Sequence, residues 1–350
     1  MPRFLFRYGT HLSREQVAEL VAPHPHTLRL VNAWLEYHSV PPSSISRTHG
    51  GGWLTVTGVP VDKANEILGA SYQLYYHAGT NDTILRTVGY ALPAPLHTLV
   101  RTVAPTTSFT PSGLQQRTPR ISPGAAAAAN ATSGDSEPIN ILSGRDDSDE
   151  GVTPSVLRWM YRTADFKPVD PSLASQRRTA VNRIGIVGYE NQYPSETDLS
   201  DFMSVFRDDV VGVPTIDYKI VNNDLPSSFM PSFLANLGSQ YTSALAYPTP
   251  VVYYVGISGP GDKFLEWIGY VLKKPRPPQT ISMAYGSVSE LSISPEYADQ
   301  VCELFGQLGS RGVSILVASG DSGVGLGDCI NASGYPQFYT TFPSSCTCGI

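Results

Sequence analysis

Five short apolar runs alternate with helical patterns between residues 183 and 318, and this alternation restricts the fold more than any other feature of the chain. The runs are Arg183-Ile-Gly-Ile-Val-Gly188 and residues 217–221, 250–255, 280–285 and 313–318. Most are apolar nearly throughout, as expected for strands covered on both faces. A helix opens at Ser195-Glu-Thr-Asp198, a capping-box pattern, and runs to Phe206. Two more span 262–273 and 295–308; the second carries Tyr297, Val301, Leu304, Phe305 and Leu308 on one face. Strands that alternate with helices in this way imply an α/β unit with a parallel sheet.

The first hundred residues read differently. Ser13 can cap a helix and Gln16 can reach back to it, with Leu12 and Val17 as a hydrophobic staple and Pro23 as a stop. A second amphipathic helix is expected over 27–37, a strand over 53–57 and a helix over 61–68. Strands over 72–76 and 85–90 flank an Asn81-Asp82 turn. This α+β pattern suggests a small sheet with helices on one face. Residues 104–151 are rich in Ser, Thr, Pro, Ala and Gly, with an alanine run and the acidic cluster Asp146-Asp-Ser-Asp-Glu150. Such a stretch buries too little apolar surface to order itself and reads as a disordered linker. The expected organisation is therefore 1–103, linker 104–151, and 152–350.

Composition matters mainly for what it excludes. With 24 Lys and Arg against 30 Asp and Glu, the net charge is −6, which argues against a nucleic-acid surface. No apolar stretch approaches the ~18 residues of a membrane span. The opening segment is too short and polar for a signal peptide. Residue placement says more. All seven histidines lie at or before His97, and all four cysteines at or after Cys302. No histidine-dependent triad can form from the later region alone, so acid–base chemistry there falls to carboxylates.

Ser319-Gly-Asp-Ser-Gly323 follows an apolar strand. One reading makes Ser322 a nucleophile, but no later histidine is present to activate it. Another makes Asp321 a protonated oxyanion donor at a strand end. The plainest leaves Asp321 as a turn residue satisfying local amides. Asp262 and Glu266 are an i,i+4 carboxylate pair, but Lys263 and Lys273 share the helix and the pattern reads as a solvated face. Gly256-Ile-Ser-Gly-Pro-Gly261 lacks the Lys-Ser/Thr ending of a phosphate loop and reads as a turn. Four cysteines allow three complete pairings, and sequence does not choose among them. The pairing expected here is Cys329 with Cys346, with Cys302 and Cys348 as rival partners. Asn81, Asn130 and Asn331 each begin a glycosylation sequon.

Taken together, these residues resemble the sedolisin family of serine-carboxyl peptidases, in particular its fungal tripeptidyl-peptidase branch. Tyr8-Gly-Thr-His-Leu-Ser-Arg-Glu-Gln-Val and Trp53-Leu-Thr-Val-Thr-Gly resemble the activation prodomain. Val152-Thr-Pro-Ser-Val-Leu-Arg resembles the start of the mature enzyme. Pro248-Thr-Pro-Val, Phe264-Leu-Glu-Trp, Arg311-Gly-Val-Ser and Ser319-Gly-Asp-Ser-Gly-Val resemble its core. The resemblance implies a ferredoxin-like α+β prodomain followed by an incomplete subtilisin-like parallel-sheet domain. It also implies a serine nucleophile activated by Glu and Asp, peptide substrates, a prodomain packed on the peptidase domain, a bound calcium and secretion. Asp321 matches the oxyanion-hole aspartate, and Tyr285-Gly286 match the strand bordering the substrate pocket. The departures are specific. The family's catalytic helix, Glu-Ala-Asn-Leu-Asp-Val-Gln-Tyr, reads here Leu234-Ala-Asn-Leu-Gly238-Ser-Gln-Tyr241. The Ser-Gly-Thr-Ser nucleophile segment and the calcium loop do not occur in the 350 residues. The expectation is a sedolisin-type chain without catalysis; the rival is a non-catalytic relative that binds peptides, or a peptidase through its prodomain.

Overall fold

The computed structural model describes residues 9–76, 83–107, 109, 152–166, 182–189, 192–210, 212, 214–221, 231–257, 262–285, 288–290, 293–320, 330, 333–336, 338 and 340–347. The Asn81-Asp82 turn, Asn130, Asn331, Gly286, Asp321, Ser322, Cys329, Cys348 and most of the expected linker lie outside them.

A five-stranded sheet organises the later region. Its strands are β5 (Ile184–Tyr189), β6 (Ile216–Ile220), β7 (Val251–Ile257), β8 (Thr280–Met283) and β10 (Ser314–Val317). They lie in the order β10-β8-β5-β7-β6, all pairs parallel. Four helices cover the two faces: α5 (Glu196–Phe206), α6 (Phe233–Ala246), α7 (Lys263–Lys273) and α8 (Pro295–Ser310). Successive strand residues serve opposite faces, as a period of two requires. Val187 and Tyr189 of β5 and Val252 and Tyr254 of β7 pack with Trp267 and Ile268 of α7 and Phe305 and Leu308 of α8. Their neighbours Ile186, Val251, Tyr253 and Val255 pack with Leu199 and Met203 of α5 and Ala235 and Ala244 of α6. Burial on both faces explains the unbroken apolar runs. At Gly188, a side-chain carbon would come within 2.5 Å of the Tyr253 ring, so the strand needs glycine there.

The N-terminal unit has smaller parts. Helices α1 (Arg14–Leu20), α2 (Pro25–Tyr37) and α3 (Val61–Leu68) accompany two separate antiparallel ribbons. One pairs β1 (Ile45–Arg47) with β2 (Leu54–Val56); the other pairs β3 (Gln73–Tyr76) with β4 (Thr83–Arg86). The expected capping box is present: Gln16 N donates to Ser13 Oγ at 3.1 Å and Ser13 N to Gln16 Oε1 at 2.8 Å. The expected single sheet is met among the described residues only as these two ribbons. The strand expected over 85–90 ends at Arg86, because Thr87 turns its hydroxyl onto Gly89 O (2.9 Å) and its amide onto Thr106 O (3.1 Å). Thr106 is buried and also accepts from the Tyr72 hydroxyl, so the N-terminal unit extends past residue 103.

This unit rests on the C-terminal ends of α7 and α8. Helix ends leave carbonyls without intrahelical partners. Arg14 Nη1 donates to Lys273 O at 3.0 Å, beside Arg311, which donates to Leu272 O and Lys274 O. Leu12 N reaches Ser310 O at 2.9 Å. The His11 ring lies where a side chain at Gly312 would stand, and Trp53 and Ala104 pack on the larger core.

One expectation is overturned. Cys346 is joined to Cys302 of α8, not to Cys329. The strand β11 (Thr341–Phe342) pairs with β9 (Val288–Ser289), and Phe342 is buried against Phe264 and Tyr297. That packing carries Cys346 to α8, where its Cα lies 5.2 Å from that of Cys302. Closeness in sequence was a poor guide to which sulfur would meet which.

Candidate functional site

Ligand sites in open parallel sheets form where neighbouring strands send their connections to opposite sides. Here β5 leads toward β6 on one side and β8 toward β10 on the other, so the crevice lies between β5 and β8. Tyr189 ends β5 there, fully buried, its ring set edge-on to Tyr285 with centroids 5.0 Å apart. Its hydroxyl donates to Met283 Sδ at 3.3 Å. Tyr285, just past β8, donates to Gln192 Oε1 at 2.8 Å. Ser232, the N-cap of α6, donates to the same oxygen at 3.1 Å. Three segments distant in sequence therefore converge on one buried amide. Burial pushes the Tyr285 phenol well above its ordinary value. It raises the Tyr189 phenol in the same direction. Both stay neutral hydrogen-bond donors at any ordinary pH. Of the residues expected to border a substrate pocket, Tyr285 is at this crevice; sequence reasoning gave no signal for Gln192 or Ser232, which are ordinary polar residues in loops.

The helix that the resemblance makes catalytic is intact as a helix. Ser195 N donates to Asn236 Oδ1 at 2.7 Å, and Asn236 Nδ2 donates to Asp198 Oδ2 at 2.5 Å. Gln240 donates to Asp198 O at 3.2 Å. The Tyr241 hydroxyl donates to Val152 O at 2.7 Å. Asn236, Gln240 and Tyr241 thus hold α6 to α5 and to the start of α4 (Pro154–Met160). The two positions where the resemblance implies carboxylates behave otherwise. Leu234 is half-buried and carries no ionisable group. Gly238 is not imposed by crowding, since a side-chain carbon there would sit 3.7 Å from Ile186 Cγ2, an ordinary contact.

Asp262 and Glu266 lie on the partly exposed side of α7, with Lys273 exposed, while most of the rest of the helix, Lys263 included, is buried. Asp262 is the N-cap: one carboxylate oxygen accepts from Leu265 N and from the Tyr297 hydroxyl, both at 2.9 Å. Burial raises its pKa above the ordinary carboxylate value, against the pull of those hydrogen bonds and of the positive charge of Arg86. Its place is structural, joining α7 to α8. Among the described residues no group of three or more His, Cys, Asp or Glu side chains could hold a metal ion.

Residues 6–109 match the model of the Pro-kumamolisin activation domain. Tripeptidyl-peptidase SED4 of Arthroderma otae is 29% identical over 363 residues, covering 97% of this chain and 55% of that protein. Probable tripeptidyl-peptidase SED3 of Trichophyton verrucosum is 28% identical over 362 residues, covering 97% and 56%. The chain thus spans about half the length of the curated relatives it matches. Among solved structures, a Pseudomonas sedolisin, a serine-carboxyl proteinase, is 17% identical, with a TM-score of 0.40 over 57% of this chain and 53% of that chain. The chain is thus similar to fungal tripeptidyl-peptidases over almost its whole length, and its N-terminal region matches an activation domain.

Proposed function

We propose that this chain is a serine-type peptidase-family protein whose α/β domain binds peptides without cleaving them. The observation that carries the reading is α6. Its residues Asn236, Gln240 and Tyr241 are hydrogen-bonded to neighbouring segments, while Leu234 and Gly238 stand where the resemblance implies the carboxylates of proton transfer. A leucine and a glycine neither take nor give a proton, and a nucleophile without its base loses most of the set's effect, because such groups act as a unit. In this reading the N-terminal unit is a prodomain lodged on α7 and α8, and peptides or proteins are the partners. By resemblance the protein works outside the cell; among the described residues no helix is long and apolar enough to cross a membrane.

The test is direct. The 350-residue chain is incubated with peptides bearing a free N-terminus, from about pH 3 to pH 7, and products are read by mass spectrometry. The expected result is no tripeptide release above a blank preparation, with binding of a labelled peptide retained. Steady tripeptide release would refute the reading.

A further inference from the structure

Past the C-terminal end of β5, Tyr193, Pro194, Tyr218 of β6 and Pro231 line a cavity of about 200 Å3. Its walls are held by backbone. Tyr193 and Pro231 form a parallel bridge, and Ser232 N donates to Tyr193 O at 2.9 Å. The Tyr218 hydroxyl reaches Pro194 O at 3.5 Å, and its ring lies 6.2 Å, centre to centre, from that of Tyr253. The cavity is therefore formed in the free protein and not only on binding.

Its size and lining narrow the occupant. Sites for small organic ligands usually enclose about 300–1,000 Å3. A cavity of about 200 Å3 is better matched to a single large side chain. The lining is two aromatic and two pyrrolidine rings, with no charged side chain among them. Aromatic rings gain from offset or edge-on packing against such surfaces. A charged side chain would give up hydration there with no opposite charge among the lining residues to offset it. We propose that this cavity is a subsite for one aromatic side chain of a peptide bound at the C-terminal end of the sheet. The proposal rests on the peptide-binding reading and adds a preference to it.

The test uses the full chain and fluorescein-labelled heptapeptides identical except at the central residue, which is Phe, Ala or Asp. Anisotropy titrations should place the Phe peptide about tenfold or more tighter than the Ala peptide, the scale for burying one such side chain, with the Asp peptide weakest. Tyr218→Ala should reduce the Phe preference to less than about threefold, and Tyr218→Phe, which keeps the ring, should retain it. A second measurement needs no variant: a heptapeptide with benzoylphenylalanine at its centre should photo-crosslink to the 193–194 segment, Tyr218 or Pro231. Equal affinity for the Phe and Ala peptides, or crosslinks confined elsewhere, would overturn the subsite while leaving peptide binding intact. Failure of every peptide to bind would overturn the peptide-binding reading, and the subsite with it.

Discussion

The N-terminal unit and the α/β region solve the burial problem differently. In the α/β region, the inner strands β5 and β7 are sealed on both sides, and Trp267, Ile268, Val271, Ile281, Phe305 and Leu308 are fully buried. In the N-terminal unit no strand among the described residues exceeds four residues, and its own core centres on Leu35, Val40, Ile67 and Leu68 with a rim of half-buried neighbours. Isolated two-stranded ribbons are marginal in water. The smaller unit makes up part of the deficit by contact, laying Trp53 and Ala104 on the larger core and pairing Leu12 and Arg14 with the ends of α8 and α7. The lesson is one of dependence: the α/β region has a core of its own, and the N-terminal unit leans on it.

The largest test of that dependence is Trp267→Ala. Removing a fully buried tryptophan should lower stability by about 3–5 kcal/mol. Hydrogen exchange should then show protection lost in both units together. Leu35→Ala should instead weaken the N-terminal unit and leave β5 and β7 protected. If Trp267→Ala left the N-terminal amides fully protected, the two units would be independent.

A smaller change addresses the seam. Gly312 has φ +81°, and a side-chain carbon there would come within 2.5 Å of the His11 ring. Gly312→Ala should cost about 1–3 kcal/mol through backbone strain and overpacking. Proteolysis of the N-terminal unit should speed up accordingly. Adding His11→Ala should relieve the steric part only; full recovery would mean that the backbone strain has no cost.

Asp262→Asn sharpens the comparison from the α/β side, as a change in slope with pH. Burial raises the Asp262 pKa in the folded state above its unfolded value. The folded protein therefore holds this proton more tightly than the unfolded chain. The group's destabilising effect is absent below the unfolded pKa and grows as pH rises from there through the folded pKa. The Asn variant, which keeps a side-chain oxygen for Leu265 N, should gain in melting temperature relative to the parent as pH rises from about 3 to 7. A constant offset between the two, at every pH, would remove Asp262 as a titrating site.

The smallest effect belongs to the Arg101–Glu303 bridge between the units, 2.6 Å long but more than half exposed at both ends. Exposed pairs contribute about 0–1 kcal/mol. Arg101→Ala should leave the proteolysis rate of the N-terminal unit within about threefold of the parent at 0.15 M salt, and a tenfold change would transfer weight from helix-end capping to charge.

Features written in local chemistry were legible in the chain itself. The bounds of α3 match the expected 61–68, the Ser13–Gln16 box closes as read, and β5 lies within one residue of its expected run. Caps need only neighbours three residues apart, and burial on both faces leaves an unbroken apolar run. The absence of carboxylates at 234 and 238 was equally plain, once resemblance marked α6, whose small-residue sequence gave no helical period of its own. What only the tertiary structure decided is everything joined across long stretches of chain. The strand order, the Cys302–Cys346 bond, the hydrogen bond from Tyr297 to Asp262 and the meeting of Tyr285 and Ser232 on Gln192 are of this kind. Gln192 and Tyr285 stand 93 residues apart. No local period records such a meeting, because it arises from how whole helices and strands pack, and a polar loop residue looks the same in sequence whether it ends in water or against a buried tyrosine.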